Sequence, residues 1–382
     1  MFKFSTKKLV NPKSFIAYIT KYQSVAKTYY ARLRAKREKL CHRFEKNISE
    51  VYRVHNPHEG SQQKIRLGIV GYGNLGKACE KIALNDEQIE TVGIFSRRQN
   101  VKSPYGTNVY LQDDIFDFDM DVVLLCVGSQ SDLEETAYKI ATKFNTADSF
   151  DTHAKIPDYI DRMSKIAKDN DRLCCVAVGW DPGLFSLARA LFCGVMPNAK
   201  TQTFWGKGVS QGHSEAIRRI DGVLDAKQYT VPKENALKLA REGNGDMLLA
   251  RDKHLRECFV VAKEGADKPA IEGKIKNMPN YFSEYDTIVH FVDMEYFNKH
   301  CSDMSHGGIV FANGAFDGFE SRGEFSLDLK SNPMFTAGVL VTYAKAVAKE
   351  YNMGMRGVKT VLDIPICDLL QGEWIDKVKR FV

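Results

Sequence analysis

The stretch "IVGYGNLGKACEKI" at residues 69–82 decides the fold, because its glycines follow the G-x-G-x-x-G spacing of a dinucleotide-binding loop. The preceding run "KIRLGIVG", residues 64–71, is short, apolar and β-branched, as is typical of a buried parallel strand. Apolar residues at helical spacing follow the loop, and "ETVGIFSRR", residues 90–98, has the pattern of a second strand. Together these segments predict an α/β fold that opens with a Rossmann-type, doubly wound parallel sheet.

Each glycine of this loop has a predicted task. Gly71 makes the tight turn, Gly73 lets the backbone approach a pyrophosphate, and Gly76 lets the helix pack closely against the strand. The free N–H groups and positive dipole end of the helix N-terminus then face the phosphates. The alternative is a glycine turn that binds no ligand, but the complete strand–loop–helix–strand unit favours a dinucleotide site.

The end of the second strand predicts which dinucleotide is bound. A site that prefers NAD usually has Asp or Glu there, whereas this sequence has Ser96, followed by Arg97 and Arg98. Two guanidinium groups bind a 2′-phosphate, which a carboxylate would repel. We therefore predict NADP, with two solvated surface arginines as the alternative. The predicted cofactor-binding residues are Gly71, Tyr72, Gly73, Asn74, Leu75, Gly76, Ser96, Arg97 and Arg98.

Two carboxylates are predicted at one edge of the sheet. The strand patterns "DVVLLCVG", "NTADSFD" and "RLCCVAVGWDPG" continue the parallel sheet, and Asp151 and Asp181 follow the last two. Because ligands bind outside the carboxyl ends of such strands, we expect both side chains near the nicotinamide, where they favour a cationic substrate, with Trp180 beside Asp181. The alternatives are that Asp181 caps a helix beginning at Pro182 and that Asp151 is a turn residue.

The second half of the chain has a different pattern. From about Phe185, short strands alternate with helices, which predicts an α+β substrate and dimerisation domain with one mixed sheet and helices on one face. The pattern at residues 332–351 predicts a long helix that packs back on the body. The predicted domains are a flexible basic extension at 1–63, a dinucleotide-binding domain at 64–183 that a segment at about 350–382 rejoins, and the second domain at 184–349.

Three glycine-rich turns in this half contain polar residues. They are "VSQGHSEAIRRI" at residues 209–220, "MSHGGIVF" at 304–311 and "KSNP" at 330–333. From the pattern alone, the first is equally well a simple loop, and His306 in the second is equally well a structural histidine.

Composition limits the class of protein and its partners. The 382 residues carry a net charge of +6, but residues 1–37 contain ten Lys or Arg and no acid. The positive excess therefore lies in the extension and the rest of the chain is slightly acidic, so we expect no nucleic-acid binding by the folded body. The extension itself has three open interpretations, namely an appendage, a tether to nucleic acid or an anionic surface, and a transit peptide. No apolar run is long enough to cross a membrane. Nine scattered cysteines without a C-x-x-C pair favour a reducing cytoplasm and predict neither disulfides nor a metal site.

Seven motifs, in this order, resemble the meso-diaminopimelate D-dehydrogenase family: "VGYGNLG", "GIFSRR", "DSFDTH", "GWDPG", "FWGKGVSQGHSEAIRRI", "MSHGG" and "SNP". The resemblance runs from about Lys64 almost to the C-terminus and excludes the basic extension. It implies a cytoplasmic homodimer that uses NADP to oxidise the D-centre of meso-2,6-diaminopimelate. The implied products are ammonia and L-2-amino-6-oxopimelate, and the implied context is the biosynthesis of lysine and cell-wall precursors.

The resemblance also implies residue roles. Asp151 and Asp181 become the carboxylates at the reacting D-centre, where one binds the ammonium group and one takes its proton. Arg256 becomes the partner of the carboxylate at the distal L-centre. The implied substrate-binding residues are Trp180 and Trp205 as walls, Gln211 and Gly212 as a covering loop, and Thr230, Arg256, His306 and Asn332 at the distal end.

Two other functions remain open. One is a broader D-amino-acid dehydrogenase with a relaxed distal site, and the other is a non-enzymatic NADP-binding sensor that contacts nucleic acid through the basic extension. The presence of Asp151, Asp181, Arg256 and His306 favours the enzyme, because a sensor needs no amino-acid site with two ends.

Overall fold

A seven-stranded parallel sheet forms the first part of the protein. The computed structural model describes residues 64–128, 132–301 and 304–382, so the predictions for residues 1–63 lie outside the described residues. Its strands are β1 Ile65–Val70, β2 Ile89–Ser96, β3 Val109–Leu111, β4 Val122–Leu125, β5 Thr146–Asp148, β6 Leu173–Cys175 and β14 Gly357–Lys359. They lie in the order β14-β6-β5-β4-β1-β2-β3, and every neighbouring pair is parallel.

Helices cover both faces of this sheet. Their bounds are α1 Asn74–Ala83, α2 Leu133–Ile140, α3 Ile156–Asp169 and α10 Asn332–Asn352. Along β4, Val122 and Leu124 belong to the core under α1 and α10, whereas Val123 and Leu125 belong to the core under α2 and α3. A strand buried on both faces has no polar alternation, which is why the run "VVLL" is continuous. The predicted doubly wound α/β sheet is confirmed.

The second part contains two sheets rather than the one mixed sheet that the sequence predicted. Their strands are β7 Lys200–Trp205, β8 Gly208–Ser210, β9 Val223–Pro232, β10 His254–Ala262, β11 Asp286–Phe291, β12 His306–Phe316 and β13 Phe319–Leu329. The four-stranded sheet has the order β11-β10-β9-β8, and the three-stranded sheet has the order β13-β12-β7. Within these two sheets, only the pair β10–β11 is parallel.

The predicted single sheet is wrong because His306, the first residue of β12, is followed by two glycines, a pattern that is typical of a turn. A Cβ at Gly308 would clash with the carbonyl oxygen of Phe204 on the neighbouring strand. Glycine therefore serves close strand packing at this point rather than chain reversal. The other glycine-rich stretch, "QGHSEAIR", is also not a turn, since it forms helix α5, Gln211–Arg218.

The remaining α-helices among the described residues have 4 to 12 residues. They are α4 Leu184–Val195, α6 Glu234–Arg241, α7 Ala250–Lys253, α8 Lys268–Lys276, α9 Met294–His300, α11 Ile366–Leu369 and α12 Trp374–Phe381. In the described ranges, no helix is both long and apolar enough to cross a bilayer.

Helix α10 returns the chain to the seven-stranded sheet. Its 21 residues pack on α1 and on strands β4 to β6, and residues such as Leu340, Tyr343 and Val347 are buried there. The predicted long helix that packs back on the body is confirmed. Strand β14 then pairs with β6 and closes that edge of the sheet. The positions of the domain boundaries stay a prediction.

Candidate active site

The glycine loop connects β1 to α1 and has one open side. Gly71 has φ +90°, and a Cβ there would lie 2.7 Å from the carbonyl oxygen of Cys126. A Cβ at Gly76 would clash with the carbonyl oxygen of Gly71. At Gly73, which immediately precedes α1, a Cβ would meet no protein atom within 4 Å. Two of the glycines thus serve internal packing, whereas Gly73 leaves room for a ligand at the helix N-terminus.

The residues around this loop hold it in place. Tyr72 is buried and its hydroxyl donates to the buried carboxylate of Glu80 on α1, which also accepts from the Ser103 hydroxyl. Asn74 begins α1 and is exposed, and Leu75 packs partly against the core.

The two arginines after β2 have different environments. Ser96 ends the strand, is buried, and accepts the backbone N–H of Arg98 at 3.1 Å. The Arg98 guanidinium donates to the carbonyl oxygen of Tyr72 at 2.7 Å, so it lies against the glycine loop. Arg97 instead forms an ion pair with Asp132 at 2.6 Å. Arg98 is therefore the better placed of the two for a group bound at the loop.

Asp181 is a buried and fixed carboxylate. It accepts one hydrogen bond from the Arg189 guanidinium at 2.8 Å and another from the Trp205 indole N–H at 2.6 Å. Only 1% of its side chain is exposed. The capping alternative is wrong, because α4 begins at Leu184 with Gly183 as its N-cap.

A second group of predicted residues meets around Trp180. Its indole N–H donates to Asn332 Oδ1 at 3.0 Å, and its ring lies 4.8 Å from the His306 ring. Burial lowers the pKa of His306, and the positive charge of Arg256 adds to this effect while Asp181 opposes it. His306 is thus a neutral imidazole at neutral pH.

Arg256 is a buried guanidinium without an anionic partner among the described residues. It is 5% exposed, its Nη1 donates to the Thr230 hydroxyl, and its Nε has no hydrogen bond. Its Cζ lies 3.9 Å from the ring centroid of Tyr285. Burial lowers the pKa of Arg256, which nevertheless stays charged at neutral pH. Such a group favours an anionic ligand.

A cavity of about 490 Å³ lies at Asp181 and Trp205 and extends to the Tyr285 ring that covers Arg256. The lining residues are His153, Asp181, Arg189, Thr203, Trp205, Ala250, Lys253, His254 and Tyr285. Trp205 is fixed there by His254, whose Nε2 accepts the Trp205 backbone N–H at 2.9 Å and whose ring stacks on the indole. Burial lowers the pKa of His254 to about 3, so this acceptor is neutral.

Sequence reasoning missed Arg189, His254 and Tyr285. His254 and Tyr285 lie on other segments than the residues they contact, so no local spacing identifies them. Arg189 lies eight positions after Asp181, on the helix that follows it, which is a usable signal for an ion pair.

Of the predicted catalytic and substrate-binding residues, Asp181 and Trp205 line this cavity. Asp151 and Gln211 are exposed, and neither lines it, although His153 does. Gly212 follows Gln211 in the first turn of α5. Among the described residues, no group of three or more His, Cys, Asp or Glu side chains has the geometry of a metal site.

Comparison with known proteins identifies the family. The family described as the diaminopimelic acid dehydrogenase C-terminal domain matches residues 179–331. A meso-diaminopimelate D-dehydrogenase of Ureibacillus thermosphaericus is 50% identical over 307 residues, which cover 79% of this chain and 94% of that protein. This chain belongs to the meso-diaminopimelate D-dehydrogenase family. The resemblance inferred from the motifs is therefore confirmed.

Solved structures of relatives agree with this membership. The diaminopimelate dehydrogenase of C. glutamicum in complex with DAP is 40% identical and superposes with a TM-score of 0.80, covering 84% of this chain and 99% of that one. An engineered D-amino acid dehydrogenase bound to NADP+ is 38% identical with a TM-score of 0.78, covering 84% of this chain and all of the other. The described body thus has the meso-diaminopimelate D-dehydrogenase fold.

Proposed function

We propose that this protein catalyses the NADP-dependent, reversible oxidative deamination of the D-centre of meso-2,6-diaminopimelate. The observation that carries the proposal is a site with two charged ends. The buried carboxylate of Asp181 lines a cavity that extends to Tyr285, and the ring of Tyr285 lies against the buried guanidinium of Arg256, which has no anionic partner among the described residues. An amino-acid substrate needs an anion for its ammonium group and a cation for its carboxylate. Family membership supports the same substrate, since the relatives are named for it.

The glycine loop fits NADP. The open side of Gly73 leaves room for the pyrophosphate at the N-terminus of α1. Arg98 lies against that loop, and β2 ends on Ser96 rather than on an acid, so a 2′-phosphate finds a cation and no repelling carboxylate. When bound, NADP supplies the oxidant, because its nicotinamide ring accepts a hydride.

The two carboxylates would divide the work at the D-centre. Asp181 already accepts hydrogen bonds from Arg189 and Trp205, so we assign it the fixed negative charge that binds the substrate ammonium. Asp151 is exposed and follows the neighbouring strand β5. We assign it the role of the base that removes a proton from the substrate ammonium group. The amine lone pair then assists departure of the Cα hydride, and water hydrolyses the resulting imine to the 6-oxo group and ammonia.

The distal end would bind the L-centre. Arg256 receives the distal carboxylate, and Thr230 orients the guanidinium through its hydroxyl. His306 and Asn332, which both contact Trp180, add neutral hydrogen-bonding groups. Gln211 and Gly212 are included as a covering segment on the strength of the motif alone. A binding group at each end would select the meso isomer by geometry.

The function is tested by incubating the full chain with meso-diaminopimelate and NADP at alkaline pH. We expect one NADPH and one ammonia per substrate consumed, and much slower reduction of NAD. Comparable rates with D-alanine would favour the broader D-amino-acid dehydrogenase. Tight NADP binding without turnover of any amino acid would overturn the enzymatic proposal.

We also propose a cytoplasmic homodimer formed through the second part of the chain. In support, Leu191 and Val195 on α4 and Phe316 and Phe319 at the β12–β13 hairpin are at least 64% exposed. Exposed apolar patches of this kind mark interaction surfaces. Light scattering should give twice the monomer mass of 43.2 kDa, and Phe319→Asp should lower it.

A further inference from the structure

Asp148 is a fully buried carboxylate that the mechanism above does not use. It ends β5 and has no exposed surface. In the described ranges, no lysine, arginine or histidine pairs with it. A buried carboxylate without a cation is costly, so its retention calls for a specific set of donors.

The donors to Asp148 come from two different loops and a helix. Its Oδ1 accepts the backbone N–H of Phe150 at 3.0 Å and that of Ala177 at 3.2 Å. Its Oδ2 accepts the Tyr159 hydroxyl of α3 at 2.7 Å. The Tyr159 ring also stacks on Phe150, with centroids 4.4 Å apart.

These contacts join the two segments that carry the proposed catalytic carboxylates. Phe150 immediately precedes Asp151, and Ala177 lies four residues before Asp181. Ala177 has φ +58°, a left-handed conformation that a non-glycine residue rarely adopts without support. The Val178 N–H adds a bond to the Asp148 carbonyl oxygen at 2.8 Å. One residue thus holds both loops where they leave the sheet.

We propose that Asp148 is a positioning residue whose ionised carboxylate holds segments 149–151 and 176–181 together, so that Asp151 and Asp181 face the same substrate ammonium. The inference rests on the proposed function for its kinetic consequence. All three groups donate to the carboxylate, so the ionised form has every donor satisfied, whereas the protonated form must place its own proton among them.

Asp148 is the group of this cluster whose charge changes near pH 6. Burial raises the pKa of Asp148 to about 6, against the lowering effect of its three hydrogen bonds. The groups that face it are Tyr159 from α3 and Cys174 and Cys175 from β6, and burial raises the pKa of each. All three are therefore neutral around pH 6. We expect the coupling of the loops to weaken as the pH falls below about 6.

The test compares Asp148→Asn with Tyr159→Phe. Asp148→Asn keeps the shape but removes the charge, and we expect kcat for meso-diaminopimelate to fall about 10- to 100-fold, since a small misplacement of reacting groups costs that much. NADPH binding should be retained. Tyr159→Phe removes one donor, so the acid limb of kcat should move to higher pH while the plateau rate stays within about threefold. Wild-type kcat in Asp148→Asn, or losses of NADPH affinity and kcat in parallel, would overturn the proposal.

A readout without substrate separates this inference from the proposed function. Tryptophan fluorescence is followed from pH 5 to pH 8 in a Trp374→Phe background, which leaves Trp180 and Trp205 beside the loops. We expect a transition near pH 6 that Tyr159→Phe moves to higher pH and Asp148→Asn abolishes. If this transition is observed but the protein does not turn over the substrate, the coupling of the two loops is still supported and only the proposed function is refuted. If Asp148→Asn fails to fold, an unmoved transition in Tyr159→Phe overturns the inference.

Discussion

At the scale of single residues, the candidate site is distinguished by the buried charge of Arg256, which has no anionic partner among the described residues. Arg256 is buried with a free Nε, while His254 and His306 near it are neutral because burial lowers the pKa of each. Neutral neighbours neither repel the guanidinium strongly nor neutralise it. Its charge is therefore available to a ligand, which is the property that a distal carboxylate site requires.

Replacing this cation should affect the substrate far more than the cofactor. We expect Arg256→Met to lower kcat/KM for meso-diaminopimelate about 100-fold, because a charge-assisted bidentate contact contributes roughly 3 kcal/mol. The NADP KM should hardly change, and Tm should not fall, since a buried unpaired charge is removed. Arg322→Met, at an exposed ion pair with Glu320, is the matched control. Unchanged turnover would refute the distal assignment.

The two arginines after β2 should differ in how strongly their replacement affects the KM for NADP. Arg98→Ala removes the guanidinium that lies against the glycine loop, and we expect the NADP KM to rise about 10-fold or more with little change in the NAD KM. Arg97→Ala should have the smaller effect, because Arg97 is paired with Asp132. Steady-state kinetics with both dinucleotides decide this. Equal effects on NADP and NAD would contradict a 2′-phosphate contact.

At the scale of elements, the sequence predicted long regular patterns and missed short or glycine-rich ones. The β1–α1–β2 unit and helix α10 were predicted because continuous apolar runs and helical periodicity extend over enough residues to be distinctive. Strands β3 and β14 have three residues each and carry no periodicity. The sequence of α5 is typical of a turn because Gly212 lies near its start, although the segment forms a helix.

The glycine loop allows folding and binding to be tested separately. Gly76→Ala places a methyl group against the Gly71 carbonyl and should lower Tm by roughly 5 °C. Gly73→Ala meets no protein atom within 4 Å and should leave Tm unchanged, yet it should weaken NADPH binding about 10-fold or more, because the methyl group enters the pyrophosphate position. Thermal melts and fluorescence titration measure both. Full NADPH affinity in Gly73→Ala would contradict the loop's proposed role.

At the scale of the whole molecule, buried neutral histidines set the response of the fold to acid. The folded-state pKa of His213 and of His254 is lowered to about 3, mainly by burial, while an unfolded histidine titrates near 6.5. The unfolded chain then binds more protons, so stability falls as the pH drops below about 6.5. Asp148 has the opposite effect, because its folded-state pKa is raised to about 6 and its protonation increases the stability of the fold as the pH falls from about 6 to about 4. We expect Tm to fall between pH 7 and pH 5, and a flat profile would contradict the assignment of neutral buried histidines.

The overall organisation brings together residues that are far apart in sequence. Asp181 follows β6, Arg256 lies on β10 and His306 begins β12, so three sheets contribute residues to the proposed site. The motifs predicted these residues, but their mutual contacts, and partners such as Arg189 and Tyr285, depend on the packing of the sheets and were not predictable from local spacing.

The central claim is that one site recognises a D-centre at one end and an L-centre at the other. The most direct measurement is the initial rate of NADP reduction with meso-, D,D- and L,L-diaminopimelate at equal concentrations. We predict turnover of the meso isomer, with the D,D isomer much slower because its distal centre is inverted, and none of the L,L isomer. Equal rates with the meso and D,D isomers would show that Arg256 and its neighbours do not recognise the distal centre, and would contradict the account.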